Sequence, residues 1–500
     1  MAKRTAAAAE AAGSPDGPDA PDAGTPAKRV RIEEPDASSD DEEPAPVEEA
    51  PLASGDMYLE TIDRSRLDFD FEKVCSVSLS NVNVYACLVC GKYFQGRGKV
   101  SHAYFHSLDE DHHVYINLQT LKVYVLPEGY EVTSGTLDDI KYIVNPTYTR
   151  AQVQALDRSE TLSHDIQHKP YRPGFIGMNN IKQNDYLNVV VQALAHVAAV
   201  RNYFILEPFE GRPELAGLFS VLVRKIWNPR AFKTHVSPHE LLQHVSSLSK
   251  KRFRLTEQAD PFDFMNWLLN NLHVALGGSR SKMRTSIIHR AFQGKLRVEA
   301  QKITPRADAG DRLRFEADML IDVQDVPFMF LALDLPPAPL FQDDIEKSVI
   351  PQVPLTSLLA KYDGVTTQEL AGHRRRYQIL ELPPYLILHV KRMTKVNFAE
   401  EVNHTIVTFQ PVALDMAPYT ARATEPVLYD LVANITHESV FTPQGQEKHV
   451  YRVQLRDKAR DEWLQIQDLY VEEIRREMLF LGESTIQIWE RHRPPRPAAT

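Results

Sequence analysis

Two cysteines three residues apart, Cys87 and Cys90, are followed by four histidines within twelve residues: His102, His106, His112 and His113. No other feature so restricts how the chain folds. A close thiolate pair with imidazoles downstream suits tetrahedral zinc, whose structural sites use Cys sulfur and His nitrogen. Free buried thiols beside surface histidines are the competing reading. A C-x2-C pair alone is a weak signal, and the clustered histidines make it a strong one. Spacing leaves the choice of histidines open. His102 and His106 are four apart and would share a helix face, giving C-x11-H-x3-H, while His112 and His113 lie just behind.

Three cysteines in 500 residues, the third being Cys75, cannot make a disulfide framework, which fits a reducing compartment. The length points to two or three domains, and 43% hydrophobic residues are ample for a core. There is no run of 18 apolar residues and no signal-peptide pattern, so a soluble intracellular protein without a membrane partner is expected. The net charge of −10 is uneven: residues 1–56 hold 14 Asp and Glu against 5 Lys and Arg. The remainder is near neutral, so overall charge demands no direct nucleic-acid contact. The basic runs KKRFR (250–254) and HRRRY (373–377) read as solvated faces rather than RNA sites.

Residues 1–56, rich in Ala, Pro, Asp and Glu, cannot bury enough apolar surface to offset ordering entropy and are expected to be disordered. Within them PAKRVRIEE (26–34) carries Lys28, Arg29 and Arg31 and resembles a monopartite nuclear localisation signal. A nuclear location follows as an expectation. From about 58 to 145, alternating runs such as VYINLQ and KVYVLP predict strands of a small domain. Residues 150–162 read as helical. From about 171 to 492, helical and strand-like segments alternate without a repeat period, and RPPRPAAT is a Pro-rich end.

GFIGMNNIKQNDYLNVVVQALA (174–195) is similar to the nucleophile segment of ubiquitin-specific proteases, in which a Cys opens a long helix. Gly177, Asn180, Tyr186, Asn188, Gln192, Ala193 and Leu194 fall on the family's letters, and Asp185 stands where the Cys belongs. QADPFDFMNWLLNNLH (258–273) resembles the family's Q-x-D helix, with Phe262, Met265, Leu268, Leu269 and Leu272 at core-facing spacing. FQGKLRVE (292–299) and FMFLALDLP (328–336) match strands flanking the fingers, and LPPYLILHVKRM (382–393) a strand in which His389 is structural. The resemblance implies an α+β fold: a small zinc-finger α/β domain, then a papain-like domain of fingers, palm and thumb. The expected division is a tail over 1–56, a finger over 57–150, a linker over 151–170, the protease-like domain over 171–492 and a tail over 493–500. YACLVCGKYFQGRG, with its downstream histidines, resembles the family's zinc finger and implies Cys87, Cys90, His106 and His112 as ligands of one structural zinc. His102 and His113 stay in reserve. Arg97 keeps the arginine that such fingers use to capture the ubiquitin C-terminus, but at altered spacing.

A protease of this kind needs a thiolate, a His base and an Asp or Asn to orient the base. A carboxylate at position 185 is a poor nucleophile towards an amide, and attack would form an anhydride. Asp185 is expected instead to cap the helix that follows. YDLVANITHES (429–439) and QEKHVYRVQL (446–455) match the two parts of the His box, with His437 at its non-catalytic histidine. Val450 falls at the base position, and His449 lies one residue early. In a strand that residue turns the side chain to the opposite face. WLQIQD (463–468) puts Gln467 at the orienting position and keeps Asp468, while Asn180 retains the oxyanion-donor position.

NNIKQNDY, KTHVSPHE and IPQVPLTSLLAKYDG tie the resemblance to the spliceosomal, tri-snRNP-associated branch of the family. It implies a catalytically dead scaffold whose partners are spliceosomal snRNP proteins. Two other classes stand beside it: an inactive receptor for ubiquitin or a ubiquitin-like protein, and a working deubiquitinase using Asp185 or His449 in an unfamiliar geometry.

Overall fold

Short alternating runs set the first layer. In the computed structural model β1 (Val84–Cys87) and β2 (Tyr93–Gln95) form a hairpin. Helix α1 (His102–Asp109) then packs beside β3 (Val114–Asn117), β4 (Val123–Val125) and β5 (Tyr130–Val132). The strands pair antiparallel in the order β2-β1-β3-β4-β5. Ser101 starts α1 by accepting the Tyr104 N–H, one of the donors a helix leaves free at its first turn. Gly91 closes the β1–β2 turn at φ +76°, where an added Cβ would stand 2.4 Å from the Arg66 carbonyl oxygen. Only glycine fits there. The structure describes residues 58–209, 213–307, 313–337, 350–370, 372–396, 399–441 and 447–492. The acidic tail with its basic cluster, and the end 493–500, lie outside them.

After α2 (Asp138–Val144), helix α3 (Arg150–Ala155) begins on a Thr149–Gln152 capping box. It is shorter than the helical pattern over 150–162, and the chain turns after it. Asp157 takes both guanidinium arms of Arg201, at 2.7 and 2.9 Å, and Arg201 stacks on Trp227. This stretch is therefore packed against the larger part of the molecule.

That part has a helical layer of α4 (Asp185–Ala195), α5 (Ala198–Leu206), α6 (Glu214–Ile226), α7 (His239–Leu248), α8 (Pro261–Ala275) and α9 (Ile287–Phe292). Asp260 caps α8 with Pro261 at its first position, which places Met265, Leu268, Leu269 and Leu272 in the core. Helices α4 and α5, bent by 88° to one another, together have the apolar length of a membrane span, but α4 is buried along its whole length.

A four-stranded sheet comprises β6 (Gly294–Ala307), β7 (Leu313–Phe328), β9 (Asp363–Leu370) and β10 (His373–Glu381), in the order β7-β6-β10-β9. The larger sheet runs β8 (Leu331–Asp334), β11 (Tyr385–Lys391), β16 (Glu483–Arg491), β12 (Leu428–Phe441), β13 (Glu447–Asp457), β14 (Glu462–Gln467), β15 (Tyr470–Ile474). The second flanking strand thus begins at Leu331, while Phe328 ends the preceding one. His389 stacks on Phe262 with ring centroids 3.5 Å apart, and burial brings its pKa down to about 3.

One buried ion network joins the two parts. Asp70, just ahead of the finger strands, meets Lys225 of α6 at 2.9 Å and Lys233 at 2.8 Å, and accepts the Ser237 N–H. Burial opposes its charge, but the two ammonium groups outweigh that and hold its pKa at about 2.

Candidate functional sites

The first site is built by the β1–β2 turn and α1. The Cys87 N–H donates to the Lys92 carbonyl and the Gly91 N–H to the Cys87 carbonyl, each at 2.9 Å. This knuckle turns Cys87 and Cys90 towards α1, which supplies His106, buried and stacked on Phe94 at 4.2 Å. Asp111, at φ +57°, bends the chain so that His112 returns to the same point. Cys90 Sγ lies 3.4 Å from His106 Nε2, and His112 Nδ1 lies 3.1 Å from that same nitrogen. All four ligand atoms of Cys87, Cys90, His106 and His112 fall within 4.8 Å of one another. Tetrahedral zinc with bonds of about 2.0–2.3 Å spaces its donors about 3.3–3.8 Å apart, so the set fits that ion. Cys90 is drawn towards thiolate, chiefly by the Cys87 thiol beside it.

The reserve histidines sit elsewhere. His113 is engaged by the Leu126 carbonyl at 2.7 Å and Asp111 at 2.8 Å, and His102 opens α1 outside the cluster. Arg97 lies over the Tyr124 ring at 4.5 Å.

The second site is the cleft at the start of α4. Asp185 is the first residue of that helix and not its cap, which corrects the expectation: the cap is Asn184, with no side-chain capping bond. Asp185 is 5% exposed. Its Oδ1 accepts the Tyr186 N–H at 3.0 Å, while Oδ2 accepts Gln258 Nε2 at 2.6 Å and the Tyr451 N–H at 3.3 Å. It therefore bolts α4 to the approach of α8 and to β13. Burial raises its pKa against these bonds, and nearby Asp468 adds to the rise.

The remaining positions are also engaged within the protein. Asn180 Nδ2 donates to Asp468 Oδ2 at 3.1 Å, and Asn188 Nδ2 reaches the other oxygen at 3.4 Å. Asp468 sits in the β14–β15 turn at φ +51°. Gly177 permits this approach, because a Cβ there would stand 2.8 Å from the Leu469 Cα. The β12–β13 register sets Glu438 opposite Val450 and Ser439 opposite His449. The His449 ring goes to His437, 3.0 Å away, and His437 in turn to Glu483 at 2.9 Å. Gln467 Oε1 accepts from Arg452 at 2.7 Å.

Sequence reasoning missed the clasp of Gln258 on Asp185 and the role of Asp468. The glutamine opens the 258–273 motif and Asp468 was visible beside Gln467, but their pairings join residues 73 and 288 positions apart. Of the basic runs, Arg252 pairs with Asp263, Arg254 with Glu257, Arg374 with Glu369 and Arg376 with Glu299.

A finger organised by a Cys/His cluster, followed by a papain-like body with a helix-opening nucleophile position, defines a class. The family model described as "Ubiquitin carboxyl-terminal hydrolase" matches residues 176–490, and "Zn-finger in ubiquitin-hydrolases and other protein" matches residues 75–137. The chain belongs to the ubiquitin carboxyl-terminal hydrolase family, and its α+β architecture is that of a zinc finger ahead of the hydrolase domain. Among its relatives is "Probable mRNA-splicing protein ubp10" of Schizosaccharomyces pombe, 54% identical over 89% of this chain and 90% of that one. "Ubiquitin carboxyl-terminal hydrolase 39" of Homo sapiens is 45% identical over 87% of this chain and 79% of that one. A solved structure, "Crystal structure of an essential yeast splicing factor", superposes with a TM-score of 0.72 at 31% identity, covering 87% of this chain and all of that one.

Proposed function

We propose that this chain is a non-catalytic scaffold in pre-mRNA splicing that supports assembly or stability of the tri-snRNP through protein–protein contacts in the nucleus. The observation that carries the non-catalytic reading is the Asp185 clasp: a carboxylate at the nucleophile position, held by Gln258 and Tyr451. Val450 offers no base, Gln467 is bound to Arg452, and the Asn180 amide is engaged by Asp468. An oxyanion donor already bonded to a carboxylate, beside a position without a thiol, forms no acyl-enzyme. The splicing assignment is supported by relatives whose names state splicing, matched over nearly their full length.

Cys87, Cys90, His106 and His112 are assigned as the ligands of one structural zinc. Bound there, a zinc ion would crosslink the β1–β2 knuckle to α1, with the Phe94 stack holding His106 and the turn at Asp111 returning His112 to the site. The division proposed is a finger over 57–150, a connection over 151–170 and a hydrolase-like domain over 171–492, between tails 1–56 and 493–500.

Two experiments test this reading. Purification of the intact chain from nuclear extract is expected to bring down snRNP proteins, and their absence sinks the scaffold assignment. Incubation with a ubiquitin suicide probe is expected to leave the chain unlabelled. Labelling lost on changing Asp185 or His449 would establish an active enzyme instead.

A further inference from the structure

Cys87 and Tyr115 stand directly opposite one another on the antiparallel strands β1 and β3, so their side chains share one face of the sheet. Tyr115 is 0% exposed, and its hydroxyl has no hydrogen-bond partner among the described residues. Tyr85, Phe94, Ala103 and Leu126 complete the cluster, with Val89, Cys90 and Tyr124 packed at its edge. The ring meets His106 edge-on, with centroids 6.3 Å apart. A phenol buried without an acceptor is destabilising, and the Cys87 side chain lies in the same cluster, directly across the strand pair. The register therefore brings a side-chain donor to the sheet face that carries a ligand.

We propose that Tyr115 is a positioning residue of the metal centre, its hydroxyl donating to the Cys87 sulfur once that sulfur is a metal-bound thiolate. This rests on the assignment of Cys87, Cys90, His106 and His112 as zinc ligands. A donor aimed at a thiolate stabilises its charge and fixes its orientation, and outer partners of this kind change metal affinity by about 10- to 100-fold. The phenyl ring would still pack without the oxygen, so the hydroxyl and the ring separate cleanly.

The test uses the full chain carrying Tyr115→Phe, with Tyr85→Phe as control. Tyr85 belongs to the same buried cluster and lies on the same strand as Cys87, two residues earlier. Zinc affinity is read by competition with a chelating dye. The thiolate-to-metal charge-transfer band of the cobalt-loaded protein is read alongside it. Tyr115→Phe is expected to weaken zinc by about tenfold or more and to move the band to longer wavelength, while Tyr85→Phe matches wild type. Unchanged affinity and an unmoved band in Tyr115→Phe would overturn the proposal. A wild-type chain that takes up no zinc would instead defeat the ligand assignment beneath it.

Discussion

The finger cluster and the cleft are both polar constellations at the end of a helix or strand, yet they are finished differently. In the finger, two sulfurs and two imidazoles converge with no counter-charge among them, an arrangement completed by a cation. In the cleft, each key group already meets another: Asp185 with Gln258 and Tyr451, Asn180 with Asp468, Gln467 with Arg452. A set of donors left to converge makes a binding site. A set paired internally makes a structural joint, even where the backbone frame is that of an enzyme.

Breaking the finger is expected to have the largest effect. Cys90→Ser, or a chelator strong enough to strip the ion, should unfold residues near 84–132, because structural zinc contributes on the order of 10 kcal/mol. Hydrogen exchange confined to that region would show it, and unchanged protection would show that the finger stands without metal. Next comes the joint between the two parts. Asp70→Ala leaves Lys225 and Lys233 without their shared carboxylate and should cost about 3 kcal/mol in denaturant unfolding. With its folded pKa at about 2, below the ordinary 3.8, Asp70 stabilises fully above pH 3.8. That contribution is lost as pH falls through 2, so the variant should lack this acid limb.

In the cleft, Asp185→Ala removes the acceptor of Gln258 and Tyr451 and should cost about 2 kcal/mol. Its pKa shift has the opposite sign to that of Asp70. Because burial raises it, the stabilisation is greatest below pH 3.8 and shrinks as pH rises through the raised value. The gap between wild type and variant in melting curves should therefore narrow towards neutrality. A gap that widens would place the carboxylate's charge in a favourable rather than a desolvated setting. The smallest expected effect is on activity. Asp185→Cys should give no cleavage of a fluorogenic ubiquitin substrate, since no base or free oxyanion donor accompanies the new thiol, and measurable turnover would refute that account.

Much of this was legible in the chain. The helix over 258–273 and its apolar stripe follow from a 3.6-residue period and an Asp–Pro start, both local signals. Cys87, Cys90, His106 and His112 were singled out through family resemblance, and the fold brings those four together while leaving His102 and His113 outside. The role of Asp185 was less legible. Its place in the first turn suggested a cap, but capping is a contact with the next few residues, whereas its carboxylate also bonds Gln258 and Tyr451. Which partner a buried carboxylate takes depends on chain crossings that no local pattern encodes.

The Asp185 clasp also governs how the cleft responds to single changes. A thiol at 185 removes the acceptor shared by Gln258 and Tyr451 before any base exists to use it. A histidine at 450 would find the glutamine at the orienting position already bound to Arg452. Freeing Asn180 requires moving Asp468, whose backbone carbonyl also accepts the Met178 N–H. Each such replacement taken alone is expected to lower stability and to return no chemistry. On the proposed non-catalytic reading the hydrogen-bond pattern therefore acts as a ratchet, and hydrolysis would require several coordinated replacements at once.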